Sequence, residues 1–218
     1  MMKKHSNIIG IDEVGRGPLA GPVTAAAIMP PRNFQSLISN FQKKYKIKLK
    51  DSKKLSSKQR EKWFKWVRIR KIPYAISSVS PKIIDKINIS QAANLAATRA
   101  FKKVYKLISY KFKSSKNINV FLDGGLHLNI KNNNLKTYKL IRRPANLQTI
   151  IRGDEKIPAI TLASIVAKVH RDKYMKKMHK KYPKYFFDKH KGYGTKLHYK
   201  MIKKYGVSSI HRKSFLKK

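Results

Sequence analysis

The stretch Ile8-Ile9-Gly10-Ile11-Asp12-Glu13-Val14, then Gly15-Arg16-Gly17-Pro18, then Pro22-Val23-Thr24-Ala25-Ala26-Ala27-Ile28-Met29, decides how the rest of the chain is read. The first run is apolar and rich in β-branched residues, and the glycine/proline cluster stops it. The second is apolar again after a short turn, so residues 8–14 and 22–29 are expected to pair as antiparallel strands. Asp12 and Glu13 interrupt the apolar run. Carboxylates at the end of a buried strand cost stability unless something holds them, and a bound cation is one such partner.

Working outward, Ser56 or Ser57 can cap a helix over 57–70 that carries Trp63, Phe64, Trp66 and Val67. Residues 74–79 are β-like. Residues 81–111 are mostly helical, with Ala92, Leu95, Ala96, Ala100, Val104 and Leu107 at helical spacing. Val120-Phe121-Leu122 reads as a short buried strand ending at Asp123-Gly124-Gly125. The Asn- and Lys-rich stretch 126–136 reads as a loop or insertion, and a further strand pair fits between Thr137 and Ile151. Pro158 suits the first turn of a helix running through Ala163–Met178. The tail, 181–218, is aromatic and basic, with Gly192-Tyr193-Gly194-Thr195 ahead of one last helix. Strands alternating with helices, with no repeat and no dividing linker, predict an α/β fold with a mixed sheet. A single structural unit is expected, with residues 1–180 as its main body and 181–218 packed on it.

Charge narrows the partners. The 218 residues hold 52 Lys and Arg against 10 Asp and Glu, a net charge of +42. Such an excess repels itself unless it is solvated or neutralised by a polyanion, and nucleic acid is the obvious one. Only 11 of the cations are Arg, and Ile and Asn are also abundant, a pattern that drift toward A/T-rich codons would produce as well, so the charge supports nucleic-acid binding but not its type. With no cysteine, disulfides and thiolate zinc sites are excluded. No apolar run approaches the ~20 residues of a membrane span. The opening Met1-Met2-Lys3-Lys4-His5-Ser6 runs into the first strand too abruptly for a signal peptide. A cytoplasmic monomer with no membrane contact is expected. The seven histidines show no metal-ligand spacing, and His190, His198 and His211 read as surface or packing residues.

Most of the ten carboxylates have ordinary readings. Glu61 can pair with Lys65 one helical turn on, Asp51 suits a turn or cap, and Asp85, Asp172 and Asp188 have cationic neighbours. Four do not. Asp12, Glu13 and Asp123 end apolar strands, and Asp154 follows Gly153 where a helix begins, the places where ligands gather in an open α/β sheet. Their hard oxygens suit Mg²⁺ or Mn²⁺, and a pair of such ions can hydrolyse a phosphodiester. One geometric condition attaches. Adjacent strand residues point to opposite faces, so Asp12 and Glu13 share a site only if the strand bends or bulges there, or else one of them faces solvent.

These residues carry a resemblance to the ribonuclease HII family. Ile9-Gly10-Ile11-Asp12-Glu13-Val14-Gly15-Arg16-Gly17-Pro18-Leu19-Ala20-Gly21-Pro22-Val23 resembles that family's opening signature. Asp51-Ser52-Lys53-Lys54-Leu55-Ser56, Asn88-Ile89, Leu122-Asp123-Gly124, Gly153-Asp154, Ala163-Ser164-Ile165-Val166-Ala167-Lys168-Val169 with Arg171-Asp172, and Gly192-Tyr193-Gly194-Thr195 follow in the family's order. The resemblance implies an RNase H-like fold, a five-stranded mixed sheet flanked by helices with a helical C-terminal extension. It implies an endonuclease that cuts the RNA strand of RNA–DNA hybrids and cuts 5′ to ribonucleotides embedded in duplex DNA. Asp12, Glu13, Asp123 and Asp154 become the catalytic carboxylates that bind Mg²⁺ or Mn²⁺. Gly15, Arg16 and Gly17 meet the backbone and 2′-hydroxyl at the RNA–DNA junction, and Tyr193 stacks on the neighbouring sugar. Lys53 and Lys168 contact phosphate, unless Lys168 merely faces solvent. Two departures stand out: a long Asn/Lys-rich interval between Asp123 and Asp154, and Thr161-Leu162 where small residues are usual, which puts helix packing in question.

Two rival readings remain. A Lys-rich RNA-binding protein without catalysis, of ribosomal type, explains size and charge but not carboxylates at apolar strand ends. A nuclease of the same fold acting on DNA keeps the metal site, and only the Gly-Arg-Gly block with Tyr193 argues against it.

Overall fold

In the computed structural model, which describes residues 7–111, 118–130 and 146–216, β1 (Asn7–Val14) lies at the centre of the sheet. It pairs antiparallel with β2 (Val23–Ile28), as expected, Gly10 standing opposite Ile28 and Val14 opposite Thr24. β3 (Tyr74–Val79) continues antiparallel beyond β2, while β4 (Ile118–Asp123) and then β5 (Asn146–Ile150) run parallel to β1. The order β3-β2-β1-β4-β5 makes a five-stranded mixed sheet. Ile9, Ile11, Val23, Ala25, Val120 and Leu122 are buried on one face and Ala26 and Ile28 on the other, which is why these strands read as near-continuous apolar runs.

Helices cover both faces. Against the first lie α3 (Pro81–Ile87) and α4 (Ile89–Lys111), with Ala92, Ala93, Ala96, Ala97 and Ala100 keeping α4 close to the strands. Against the other lie α1 (Phe34–Tyr45), α2 (Ser57–Ile69) and α6 (Pro158–Lys181). Here Trp63 is fully buried and its ring stands 3.9 Å from that of Phe41, centroid to centroid. The short α5 (Gly153–Lys156) follows β5. Beyond α6, α7 (Phe187–His190) and α8 (Lys196–Tyr205) pack with the end of α6 around Met175, Tyr185, Phe187, Met201 and Ile210. The boundary expected after residue 180 falls at the last turn of α6.

Local chemistry explains the element ends. The hydroxyl of Ser56 accepts from the Gln59 N–H, and the Gln59 side chain accepts from the Ser56 N–H, a reciprocal cap that starts α2. The helix expected over 81–111 is two helices, because Asn88 adopts φ +64°. Its side chain then accepts from the Gln91 N–H and starts α4, a cap that asparagine favours. Helix α1 has no counterpart in the sequence expectations. Asn33, before it, makes no capping bond, although Phe34, Ile38 and Phe41 carry the helical spacing and are buried. Of the strand pair sought between Thr137 and Ile151, residues 146–150 form β5 on β4, and 131–145 lie outside the described residues. Residues 126–130 carry no regular element. Thr161 and Leu162 pack without difficulty: both are buried, and the Thr161 hydroxyl donates to the carbonyl of Asp154 at 2.7 Å, tying α6 to α5.

Candidate active site

Because β1, β4 and β5 are parallel neighbours, their carboxyl ends lie side by side, and the four singled-out carboxylates stand there. Asp12 and Glu13 are near the end of β1, Asp123 is the last residue of β4, and Asp154 sits in α5 just after β5. The ladder runs through Asp12 (opposite Ala26) and Glu13 (opposite Ala25) without a bulge, so the condition set by the sequence is not met by a distortion. The two side chains leave opposite faces of the strand. Asp12 accepts from the Ser164 hydroxyl of α6 and, at 2.6 Å, from the Glu13 N–H. Glu13 meets Arg16, whose Nε stands 3.3 Å from Oε1. Asp123 Oδ1 accepts from the Gly153 N–H at 2.7 Å, which fixes the start of α5 and with it Asp154.

The four sense one another electrostatically. Burial pushes the Asp12 carboxyl well above the usual carboxylate range, and the charges of Glu13 and Asp123 push it further. Burial also raises Glu13; Asp123 adds to this, and Arg16 opposes it. Asp154 is raised by burial and by Asp123 and Asp51, while Lys53 pulls it back down. Glu13 Oε2 is buried with no hydrogen-bond partner. Buried, mutually repelling carboxylates with an orphaned oxygen in a chain of net charge +42 form a donor set that suits a hard divalent cation. Among the described residues no three acidic or imidazole side chains are drawn into a ready coordination shell. The donors fit a cation by chemistry and by their shared strand ends.

The other predicted residues divide. Arg16 has its guanidinium between Glu13 and the carbonyl of Gly125, 3.3 Å away. Gly15 has φ +93°, and a Cβ there would lie 2.4 Å from Arg171 Nε, so glycine is required by the backbone itself. Gly17 is different: a Cβ there would meet nothing within 4 Å, which leaves its backbone open to a ligand. Lys53 is exposed beside Asp154. Lys168 is not a solvated lysine, because its Nζ is 2.7 Å from Asp172, which also pairs with Arg60 at 3.4 Å. Tyr193 is 41% exposed, with the Arg171 guanidinium 5.8 Å from its ring centroid.

Sequence reasoning passed over several supporting residues. Ser52 hydrogen-bonds Ser164 at 2.8 Å, and Lys54 pairs with Glu155 at 2.9 Å, bridging the 3₁₀ turn Ser52–Lys54 to α5. Asp51 caps that turn, as expected. Of the two readings given for His190, His198 and His211, packing holds, since all three are buried; Arg171 and Arg212 are buried as well. Arg171 had a signal: it falls on the same stripe of α6 as Ala163, Ala167 and Met175, where a solvated cation does not belong.

A five-stranded mixed sheet, helices on both faces and carboxylates at the parallel strand ends define a protein of the RNase H-like fold. Solved structures share it. Ribonuclease H2 from Pyrococcus horikoshii OT3 matches with a TM-score of 0.68 over 95% of this chain and 93% of that one, at 22% identity. The Bst ribonuclease HIII in complex with Mn²⁺ matches with a TM-score of 0.64 over 96% and 64%, at 16% identity. The sequence model of ribonuclease HII matches residues 9–218, and the ribonuclease HII of Caldicellulosiruptor bescii is 42% identical over 96% of this chain and 86% of its own. The chain belongs to the ribonuclease HII family and is a ribonuclease H. Among the described residues no helix is long and apolar enough to cross a membrane.

Proposed function

We propose that this ribonuclease H, acting as a monomer, cuts RNA–DNA hybrids and also cuts 5′ to ribonucleotides embedded in duplex DNA, leaving 3′-hydroxyl and 5′-phosphate ends. The observation that carries this reading is the gathering of four carboxylates at the ends of three parallel strands, with one buried oxygen of Glu13 unpartnered. Asp12, Glu13, Asp123 and Asp154 would hold Mg²⁺ or Mn²⁺, two ions in a two-metal scheme. Bound there, the cations supply Lewis-acid activation of water and neutralise charge at the scissile phosphate.

The chain's own residues do the rest. Ser164 and the Glu13 N–H orient Asp12. The Gly153 N–H and the Thr161 hydroxyl hold Asp123 and the α5 turn in place. Arg16 favours the ionised form of Glu13 against its burial and aims it. The open backbone at Gly17, the neighbouring Gly15 and Arg16, and the exposed ring of Tyr193 are the groups for the sugar and its 2′-hydroxyl, the feature that separates RNA from DNA. Lys53, beside Asp154, serves phosphate. Lys168 reaches phosphate only by leaving Asp172.

The test is a DNA duplex with one embedded ribonucleotide, incubated with Mg²⁺, with Mn²⁺ and with excess EDTA, and the ends mapped. Cleavage 5′ to the ribonucleotide with 3′-hydroxyl ends, abolished by EDTA, is expected. A 2′,3′-cyclic phosphate product, or undiminished activity in EDTA, would overturn the mechanism.

A further inference from the structure

Two segments face the sugar in this reading, Gly15–Gly17 and Tyr193, and they come from opposite ends of the chain. What joins them is the stretch Ile210-His211-Arg212. Ala20 and His211 form an isolated antiparallel bridge; the Gly21 N–H donates to the carbonyl of Ile210, and the Arg212 N–H to that of Leu19, each at 2.8 Å. From there the two adjacent side chains reach in different directions. The Arg212 guanidinium, fully buried, donates to the carbonyls of Gly15 (2.6 Å), Arg16 (2.8 Å) and Gly21 (3.0 Å). His211 reaches His198, Nε2 to Nε2, at 3.0 Å, and His198 Nδ1 stands 2.9 Å from the carbonyl of Tyr193.

The imidazole contacts have one consistent protonation pattern. A carbonyl only accepts, so His198 carries its proton on Nδ1 and donates to Tyr193. Its Nε2 is then an acceptor. His211 Nδ1 accepts from the Ser208 N–H at 2.8 Å, which leaves the His211 proton on Nε2, pointing at His198. The relay from Ser208 to Tyr193 is complete with both rings neutral. The segments are also tied directly: the N–H groups of Leu19 and Ala20 both donate to the carbonyl of Gly192. That approach needs glycine, since at φ +86° a Cβ on Gly192 would lie 2.4 Å from the carbonyl oxygen of Ala20. Arg171 closes the joint from behind, donating to the carbonyls of Ala20, Pro22 and Lys191.

Among the described residues neither buried guanidinium sits in an ion pair. Burying such a charge against carbonyls alone is a costly way to stabilise a fold, and an apolar side chain fills the same space. A guanidinium adds a rigid fork that fixes several carbonyls at once. We propose that His211 and Arg212 are positioning residues for ribonucleotide recognition: Arg212 sets the Gly15–Gly17 backbone, and His211, through His198, sets Tyr193, so that the two segments meet the sugar as one body. The inference rests on the assignment of those segments to the sugar.

The experiment measures kcat/KM on a DNA duplex with one embedded ribonucleotide, together with the Kd for the all-DNA duplex. His211→Phe keeps the ring against Tyr185 and Phe187 but loses the N–H; His211→Gln returns an N–H donor. His211→Phe is expected to lower kcat/KM by about tenfold through misplacement alone, with the all-DNA Kd unchanged and His211→Gln recovering most of the loss. In a Tyr193→Ala background the same substitution should cost less than about twofold, because the group it positions is gone. Arg212→Lys, which keeps the charge but not the fork, should lose at least as much. Wild-type turnover in His211→Phe would overturn the proposal, as would an undiminished effect of His211→Phe on top of Tyr193→Ala, the mark of a merely structural role. If Tyr193→Ala alone were harmless, the assignment of Tyr193 would fall along with it. A damaging Tyr193→Ala beside a harmless His211→Phe would sink the positioning role alone.

Discussion

At the scale of single residues, Asp12 shows a site held against stability. Its carboxyl is buried, and its ionised form is penalised both by that burial and by the charges of Glu13 and Asp123. Asp12→Asn keeps the shape and removes the charge. Without divalent metal it should therefore raise the melting temperature by roughly 2–4 °C, the shift that about 1 kcal/mol produces in a chain of this size. The same variant, like Asp123→Asn, should lose nearly all cleavage while still binding the hybrid. Calorimetry in EDTA and a cleavage assay in Mg²⁺ check the two halves; a variant both destabilised and active would place the chemistry elsewhere. This residue was legible in the sequence because a carboxylate on an apolar strand has no ordinary reading. Arg212 was not, since its cation looks like the other 51 until the fold wraps carbonyls around it.

At the scale of elements, legibility followed how local the cause was. Helix α2 was readable because Ser56 and the tryptophans state its start and its face, and β3 because β-branched and aromatic residues bound it. The break at Asn88 and the helix over Phe34–Tyr45 were missed, one decided by a single residue at positive φ and the other lacking a capping bond. The tail's helices were visible, but not the histidines gathered beneath them. Burial drives the imidazole of His198 down to about 4, and it lowers His190 and His211 as well. A histidine whose folded pKa lies below its unfolded value of about 6.5 contributes stability that is complete above that pH and is lost as pH falls from 6.5 toward 4. Wild-type denaturant midpoints should therefore fall more steeply over that window than those of a variant lacking the His198 imidazole. His198→Phe should flatten the dependence there, whatever it does to stability at pH 8. An unchanged slope between pH 6.5 and 4 would mean that the ring takes up its proton without cost.

At the scale of the molecule, the proposed function would divide the labour between a net charge of +42, for affinity, and the sugar-facing groups beside a small acidic patch, for choice. Cations spread over the surface attract any duplex, and each phosphate they neutralise releases counterions, so log K falls linearly with log salt by about 0.9 per contact. In the proposed function the 2′-hydroxyl would be read at one place, by groups fixed at Gly15–Gly17 and Tyr193, and that reading would not depend on the bulk field. Lys131, Lys136 and Lys139 lie in the Asn/Lys-rich stretch outside the described residues, and neutralising all three tests the division. If all three touch phosphate, the slope should flatten by about 2.7 units, and affinity for RNA-containing and all-DNA duplexes should drop alike. Tyr193→Ala should do the reverse, leaving the slope in place and cutting cleavage at the ribonucleotide by about tenfold, since stacking on an aromatic ring is worth roughly 1–3 kcal/mol. Binding isotherms on both duplexes across a salt series, read beside the cleavage rates, separate the two. A triple lysine variant that changed the preference for RNA over DNA would show that charge and choice are not divided as the fold divides them. An unaltered slope in that variant would assign its lysines to codon drift, and the electrostatic contact would then lie with cations nearer the carboxyl ends of β1, β4 and β5.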